Sequence, residues 1–204
     1  MKNPFSRRID YTELADRELV ALAKEDKEAF GELYERYLPK IYSYIYYRTG
    51  NVHDAEDLTA KVFFRALSHI GNYVEKGLPF QAWLYRIAHN LVANWHRDQS
   101  RRKIIALDEY VAHSLSSEAP DSRTEEVEER NQLLDAIREL PDDRQQLLIL
   151  KFVEQMSNAE IGAIMGRTEG AIKSLYHRTL LALRNELKSM QAGEPDRPLG
   201  ADEG

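Results

Sequence analysis

Residues 157–183 read SNAEIGAIMGRTEGAIKSLYHRTLLAL. Ser157, with Glu160 three positions later, forms a capping box, which marks a helix start by pairing backbone donors that have no partner inside the helix. Ile161, Ile164 and Met165 then recur at helical spacing. Gly166 is suited to end that helix, because glycine takes the left-handed conformation just past a helix terminus. Thr168 can cap a second helix with Ile172, Leu175, Thr179 and Leu183 facing inward. Its outer side then carries Glu169, Lys173, Ser174, His177 and Arg178. A short helix, a tight turn and a second helix with polar and basic residues near its start describe a helix-turn-helix, whose second helix enters the DNA major groove. An ordinary helical hairpin is the plain alternative. The two caps and the cationic outer face favour DNA.

The bulk composition sets limits on what surrounds this motif. A chain of 204 residues accommodates two small domains or one of medium size. Its 43% hydrophobic and 30% charged residues are ordinary for a globular protein. No apolar run approaches the roughly 18 residues of a membrane span, and MKNPFSRRIDYTEL lacks the apolar core of a signal peptide, so a cytoplasmic location is expected. The chain has no cysteine, which excludes disulfides and thiolate chemistry. The net charge of −6 looks wrong for a nucleic-acid binder until the charges are placed along the chain.

Working outward, residues 1–15 are polar and read as a loose arm. From Asp16 the pattern is helical, first with Leu19, Val20, Leu22 and Ala23. A second stripe follows, of Phe30, Leu33, Tyr34, Tyr37, Leu38, Ile41 and Ile45. Pro39 falls inside it and should kink or split the helix, and Gly50-Asn51 is a break. NVHDAEDLTAKVFFRALSHI has an inner face of Leu58, Val62, Phe63, Ala66 and Ile70. Its acidic residues Asp54, Glu56 and Asp57 suit the start of a helix, and Asp54 and Asp57, three apart, also offer two carboxylates on one side. After a loop over 72–79, Phe80, Trp83, Leu84, Ile87, Ala88, Leu91, Val92 and Trp95 form the most regular amphipathic stripe of the chain. Both tryptophans read as core. The opposite face holds Tyr85, Arg86, His89, Asn90, Asn94, His96 and Arg97. It leads to a basic tip, Arg97, Arg101, Arg102 and Lys103, that exceeds what helix capping needs and points to phosphate contacts.

Between Asp108 and Asp143 the balance inverts, with twelve acidic residues against three basic ones. The negative charge is concentrated there, and both basic surfaces lie outside it. Periodicity resumes near Glu125 and again after Pro141-Asp142-Asp143, and the tail after Met190 has a disordered composition. The expected fold is all-α. Two helical domains, residues 16–103 and 125–190, are joined by an acidic flexible linker, 104–124, and followed by a tail, 191–204.

DAEDLTAKVFFRAL, then FQAWLYRIAHNLVANWHR, an acidic linker, ELPDDRQQLLILKF and the terminal helix-turn-helix resemble, in order and spacing, the extracytoplasmic-function (ECF) sigma factors of the sigma-70 family. The resemblance covers roughly residues 16–188. It implies that the first domain is sigma region two and the second sigma region four, and that core RNA polymerase and promoter DNA are the partners. The surface over Asp54, Glu56, Asp57, Thr59, Lys61 and Arg65 would dock on the β′ clamp helices, with the β flap as a further contact. Ala60-Lys61 stands where the family often has Gln-Glu, which puts a cation on a surface usually acidic. Asn72, Tyr85, Arg86, His89, Asn90, Asn94, Arg97, Arg101 and Arg102 would recognise and open the −10 element, with Asn90 at the strand-separated base. Opening costs about a few kcal/mol per extruded base, which a base pocket and backbone cations can offset. Thr168, Glu169, Lys173, Ser174, His177 and Arg178 would read the −35 duplex, with Leu175 standing where many members have Arg. The linker would either thread toward the polymerase active centre or serve as a solvated tether. An anti-sigma factor is a further implied partner. No cofactor is expected, and nothing in the sequence argues for a homo-oligomer.

Two rival classes are weighed against this. A helix-turn-helix regulator that never engages polymerase would need a sensing domain, and the first half shows no strand–helix alternation. An enzyme would need a reactive constellation, and there is no phosphate loop, GxSxG or His-Glu-x-x-His. His89 and His96 share a helix face without carboxylates to complete a ligand set.

Overall fold

The computed structural model describes residues 9–75, 77–99 and 124–192, and every regular element among them is helical. The first half contains α1 (Asp16–Leu22), α2 (Lys27–Thr49), α3 (Val52–His69) and α4 (Phe80–Gln99). The second half contains α5 (Thr124–Arg138), α6 (Asp142–Leu148), α7 (Asn158–Met165) and α8 (Glu169–Ala192). The all-α, two-part architecture expected from the periodicity is present. Arg101, Arg102, Lys103, the linker before Thr124 and the tail beyond Ala192 lie outside the described residues.

Local chemistry sets the boundaries. The Asp26 side chain accepts from the Glu28 amide at 2.9 Å and starts α2, and Asn51 accepts from the Asp54 amide at 3.0 Å and starts α3. Between them Gly50 takes φ 62°, the left-handed geometry that ends α2. Pro39 does not split α2, which runs unbroken for 23 residues. An interior proline costs about 3 kcal/mol. Leu33 and Tyr37 before it, and Ile41, Tyr44 and Ile45 after it, are buried on the same stripe. Each such side chain contributes about 1.5–3 kcal/mol, enough together to hold one continuous helix.

Residues 9–15 are less loose than their composition suggests. Tyr11–Glu13 form a 3₁₀ turn, and the Tyr11 hydroxyl donates to Asp26. Arg36 gathers the segment: its guanidinium donates to the carbonyls of Tyr11, Thr12 and Leu14 and to the carboxylates of Asp16 and Glu32. A planar guanidinium with five donors can do this where an ammonium cannot.

The first half packs α3 and α4 on α2, with edge-to-face pairs Tyr34–Phe63 and Tyr37–Phe80. In the second half α7 and α5 lie on α8. After α6 the chain makes one π turn, Ile149–Val153, closed by the Glu154 amide donating to Ile149 O at 3.1 Å. Gln155 then takes φ 53°. The two halves share one continuous apolar core, with α4 packed directly on α7.

Candidate nucleic-acid interface

On α8 the expected row is assembled as the sequence implies. Ser157 and Glu160 form the reciprocal capping box of α7, Gly166 ends it at φ 67°, and the Thr168 hydroxyl accepts from the Ala171 amide at 3.2 Å. Gly162 has a second reason to be glycine. A Cβ there would lie 2.6 Å from Arg167 O, so the two-helix angle depends on its absence. Ile172, Leu175, Thr179 and Leu183 are buried, while Thr168, Glu169, Lys173, Ser174, His177 and Arg178 are exposed. Leu175 is therefore a core residue. Lys173 pairs with Glu169 at 2.7 Å across one helical turn. Such an exposed pair is worth about 0.3–0.5 kcal/mol, so a phosphate can displace it. Arg167 bridges to Asp143 at 2.9 Å and ties the turn to the start of α6.

On α4 the row divides. Arg86, Asn90 and Arg97 are exposed and Asn94 is half-buried, with Arg97 donating to Asn94 at 2.8 Å. Asn72 is exposed in the turn after α3. Tyr85 and His96, expected on the open face, are buried, and His89 is half-buried. The cause is the second half. Tyr85 donates its hydroxyl to Glu154, and the Gln146 amide donates to His89 Nδ1 at 2.6 Å and to the Tyr44 hydroxyl at 3.0 Å. Beside them Arg48, 2% exposed, meets Asp142 through both terminal nitrogens, at 3.1 and 3.3 Å. Burial pushes the Tyr44 phenol up to about 12 and raises the Tyr85 phenol further. Burial also raises the Glu154 carboxyl, against the lowering effect of the Tyr85 hydroxyl. Burial, reinforced by the Arg48 charge, lowers the His89 imidazole, in keeping with Nδ1 acting as an acceptor.

On α3 the expected docking residues are only partly available. Glu56, Asp57, Lys61 and Arg65 are exposed, but Thr59 is buried against α2, since it falls on the inward turn beside Leu58. Asp54 accepts from the Trp95 indole at 3.2 Å, and Lys61 pairs with Asp57. The carboxylates read as a free acidic edge are thus engaged within the chain. Sequence reasoning missed Phe64 and Leu67, 73% and 44% exposed on the outer face. The available signal was that both fall outside the inward stripe of Leu58, Val62, Phe63, Ala66 and Ile70. Trp83 and Trp95 pack against the core, as expected.

Comparison with known proteins agrees with this division. The family model for Sigma-70 region 2 matches residues 33–102, and that for Sigma-70, region 4 matches residues 130–183. The ECF RNA polymerase sigma factor BldN of Streptomyces coelicolor is 39% identical over 167 residues, covering 81% of this chain and 63% of that protein, so the chain spans less than two thirds of that relative's length. The ECF RNA polymerase sigma factor SigW of Bacillus subtilis is 32% identical over 177 residues, covering 82% of this chain and 93% of that protein. Among solved structures, CnrH in complex with the cytosolic domain of CnrY shares the fold, with a TM-score of 0.59 at 21% identity over 88% of this chain and 99% of that one. With both halves matched in order, the chain belongs to the ECF family of sigma-70-type RNA polymerase sigma factors.

Proposed function

We propose that the chain is a promoter-specificity subunit: it docks on core RNA polymerase through α3, reads the −35 duplex with α8 and opens the −10 element with α4. The observation that carries this is the capped α7–turn–α8 unit with its exposed row Lys173, Ser174, His177 and Arg178, joined to a family match over both halves. On α8 the cations would meet phosphates and the polar groups base edges. On α4, Asn90 can donate to and accept from an unpaired base, with Arg86 and Arg97 along the backbone. On α3, the exposed Phe64 and Leu67 beside Arg65 supply an apolar contact, and a docking surface of that kind depends less on the acidic edge that Lys61 partly neutralises. Two short DNA elements read by tethered modules gain from effective concentration, so each half alone binds DNA weakly. An anti-sigma factor is proposed as an inhibitory partner, following the family.

The test is a titration of labelled protein with purified bacterial core RNA polymerase, with run-off transcription from a promoter library on the same samples. Saturable binding with initiation at discrete new sites is expected. DNA binding without any binding to a cognate core would instead assign the chain to stand-alone regulators.

A further inference from the structure

The first turn of α8 holds two residues that packing does not explain. Glu169 is exposed at the head of a row otherwise made of Lys173, Ser174, His177 and Arg178. It pairs with Lys173 at 2.7 Å, and an acidic residue there also suits the helix dipole. Both effects are small at an exposed site. On a duplex a carboxylate facing phosphates is repelled, so a row that docks on DNA can carry one only where it faces a base edge. Its partners in the major groove are then the exocyclic amino groups, N4 of cytosine and N6 of adenine. Adenine sets the N7 acceptor beside N6, which disfavours a carboxylate and suits an amide, whereas the cytosine edge offers a donor alone.

Gly170 follows and is also exposed. A Cβ there would meet nothing within 4 Å, and its backbone is not left-handed, so neither space nor φ calls for glycine. Glycine within a helix is a cost relative to alanine. Gly31 in α2 is equally unobstructed, so an open glycine is not in itself a mark of contact. Gly170 differs in its position. It stands three, four and seven residues before Lys173, Ser174 and His177, which puts it on their stripe in the middle of the exposed side. The start of a recognition helix is where side chains meet base edges, so a missing side chain gives the most clearance there.

We propose that the first turn of α8 selects a cytosine: the Glu169 carboxylate accepts a hydrogen bond from the N4 amino group, and Gly170, with no side chain, lets that base edge come close. The Lys173 pair uses the Oε1 oxygen of Glu169 and leaves Oε2 for the base. The inference rests on the −35 reading proposed for α8, and it adds which base one position of that element must carry.

The test is a selection from duplex DNA randomised over about 10 base pairs, one helical turn, using the full chain with core RNA polymerase and sequencing the bound fraction. The wild-type chain is expected to enrich a motif with one invariant cytosine, whose replacement costs about 5- to 150-fold in affinity. Glu169→Gln is expected to move that one position to adenine, which an amide reads bidentately, and to leave the other positions as they are. The same change frees Lys173 and strengthens binding to every sequence alike, so the readout is the preference at one position and not the overall affinity. Gly170→Ala is expected to raise the melting temperature, yet to bind the selected duplex no better than the wild type binds the duplex lacking that cytosine. Gly31→Ala, the same change away from the row, is expected to raise the melting temperature and leave DNA binding unchanged. A wild-type motif that Glu169→Gln leaves unaltered, an altered position that is not cytosine in the wild type, full affinity in Gly170→Ala, or a loss shared by Gly31→Ala would each overturn the proposal. The absence of any enriched motif for the wild-type chain would instead remove the −35 reading on which it rests.

Discussion

The rows Lys173–Ser174–His177–Arg178 on α8 and Tyr85–Arg86–His89–Asn90 on α4 use similar side chains, yet one is open to solvent and the other is half covered. On α8 the inward stripe is satisfied by its own neighbours, α5 and α7, and the outer face is left free. On α4 the stripe of Phe80, Leu84, Ala88 and Leu91 is satisfied within the first half, and a second, polar stripe is then covered by Gln146 and Glu154. A duplex reader needs a rigid exposed row.

The largest expected effect breaks the open row. Gly162→Ala drives a Cβ into the Arg167 carbonyl, which is backbone and cannot swing aside. Overpacking of this kind costs about 1–3 kcal/mol, and the variant should show a lower melting temperature together with loss of −35 duplex binding in anisotropy titrations. Arg178→Ala should leave melting unchanged and weaken duplex binding, with the log–log salt slope falling by about 1 if its contact is to phosphate. Wild-type affinity in that variant would remove Arg178 from the interface. On the other row, Asn90→Ala should slow promoter opening on duplex templates, with partial recovery on a pre-melted bubble. Equal defects on both templates would remove Asn90 from the opening step.

The smallest effect sharpens the covered side. Burial against α2 and α4 raises the Glu154 carboxyl. Its contribution to stability is therefore fully present below its ordinary value of 4.5 and is lost as pH rises through the raised value. His89, lowered by burial, works in the opposite sense: its contribution is present above its ordinary 6.5 and is lost as pH falls below that. Glu154→Gln should remove the first dependence and keep the second, read from melting temperatures across pH.

Most of the helix-turn-helix was legible because its determinants are local: a capping box, a glycine stop and an i, i+3 stripe all lie within 27 residues of sequence. The outer face of α4 was legible as a polar stripe but not as a partly covered one. Periodicity reports which side of a helix is apolar, and it says nothing of which polar side another part of the chain will meet. Tyr85 is the sharpest case, a residue whose hydroxyl allowed either place. Glu154 had no signal at all, because the π turn before it, which sets the register at which Glu154 reaches Tyr85, follows from packing and not from any residue type in ILKFV. Pro39 failed as a breaker for a related reason, since long-range burial outweighed a local rule.

Arg36 has a consequence of a mechanical kind. Four of its five hydrogen bonds fasten residues 11–16 to the middle of α2, and the fifth holds Glu32 within that helix. A pull on the preceding chain therefore ends at that guanidinium and is taken up along the long axis of a 23-residue helix, before it reaches α4 or α8. An affinity tag or fluorescent fusion joined ahead of Asp10 would be mechanically insulated from the exposed rows of α4 and α8, and a truncation past Asp16 would strip away the anchor that provides the insulation.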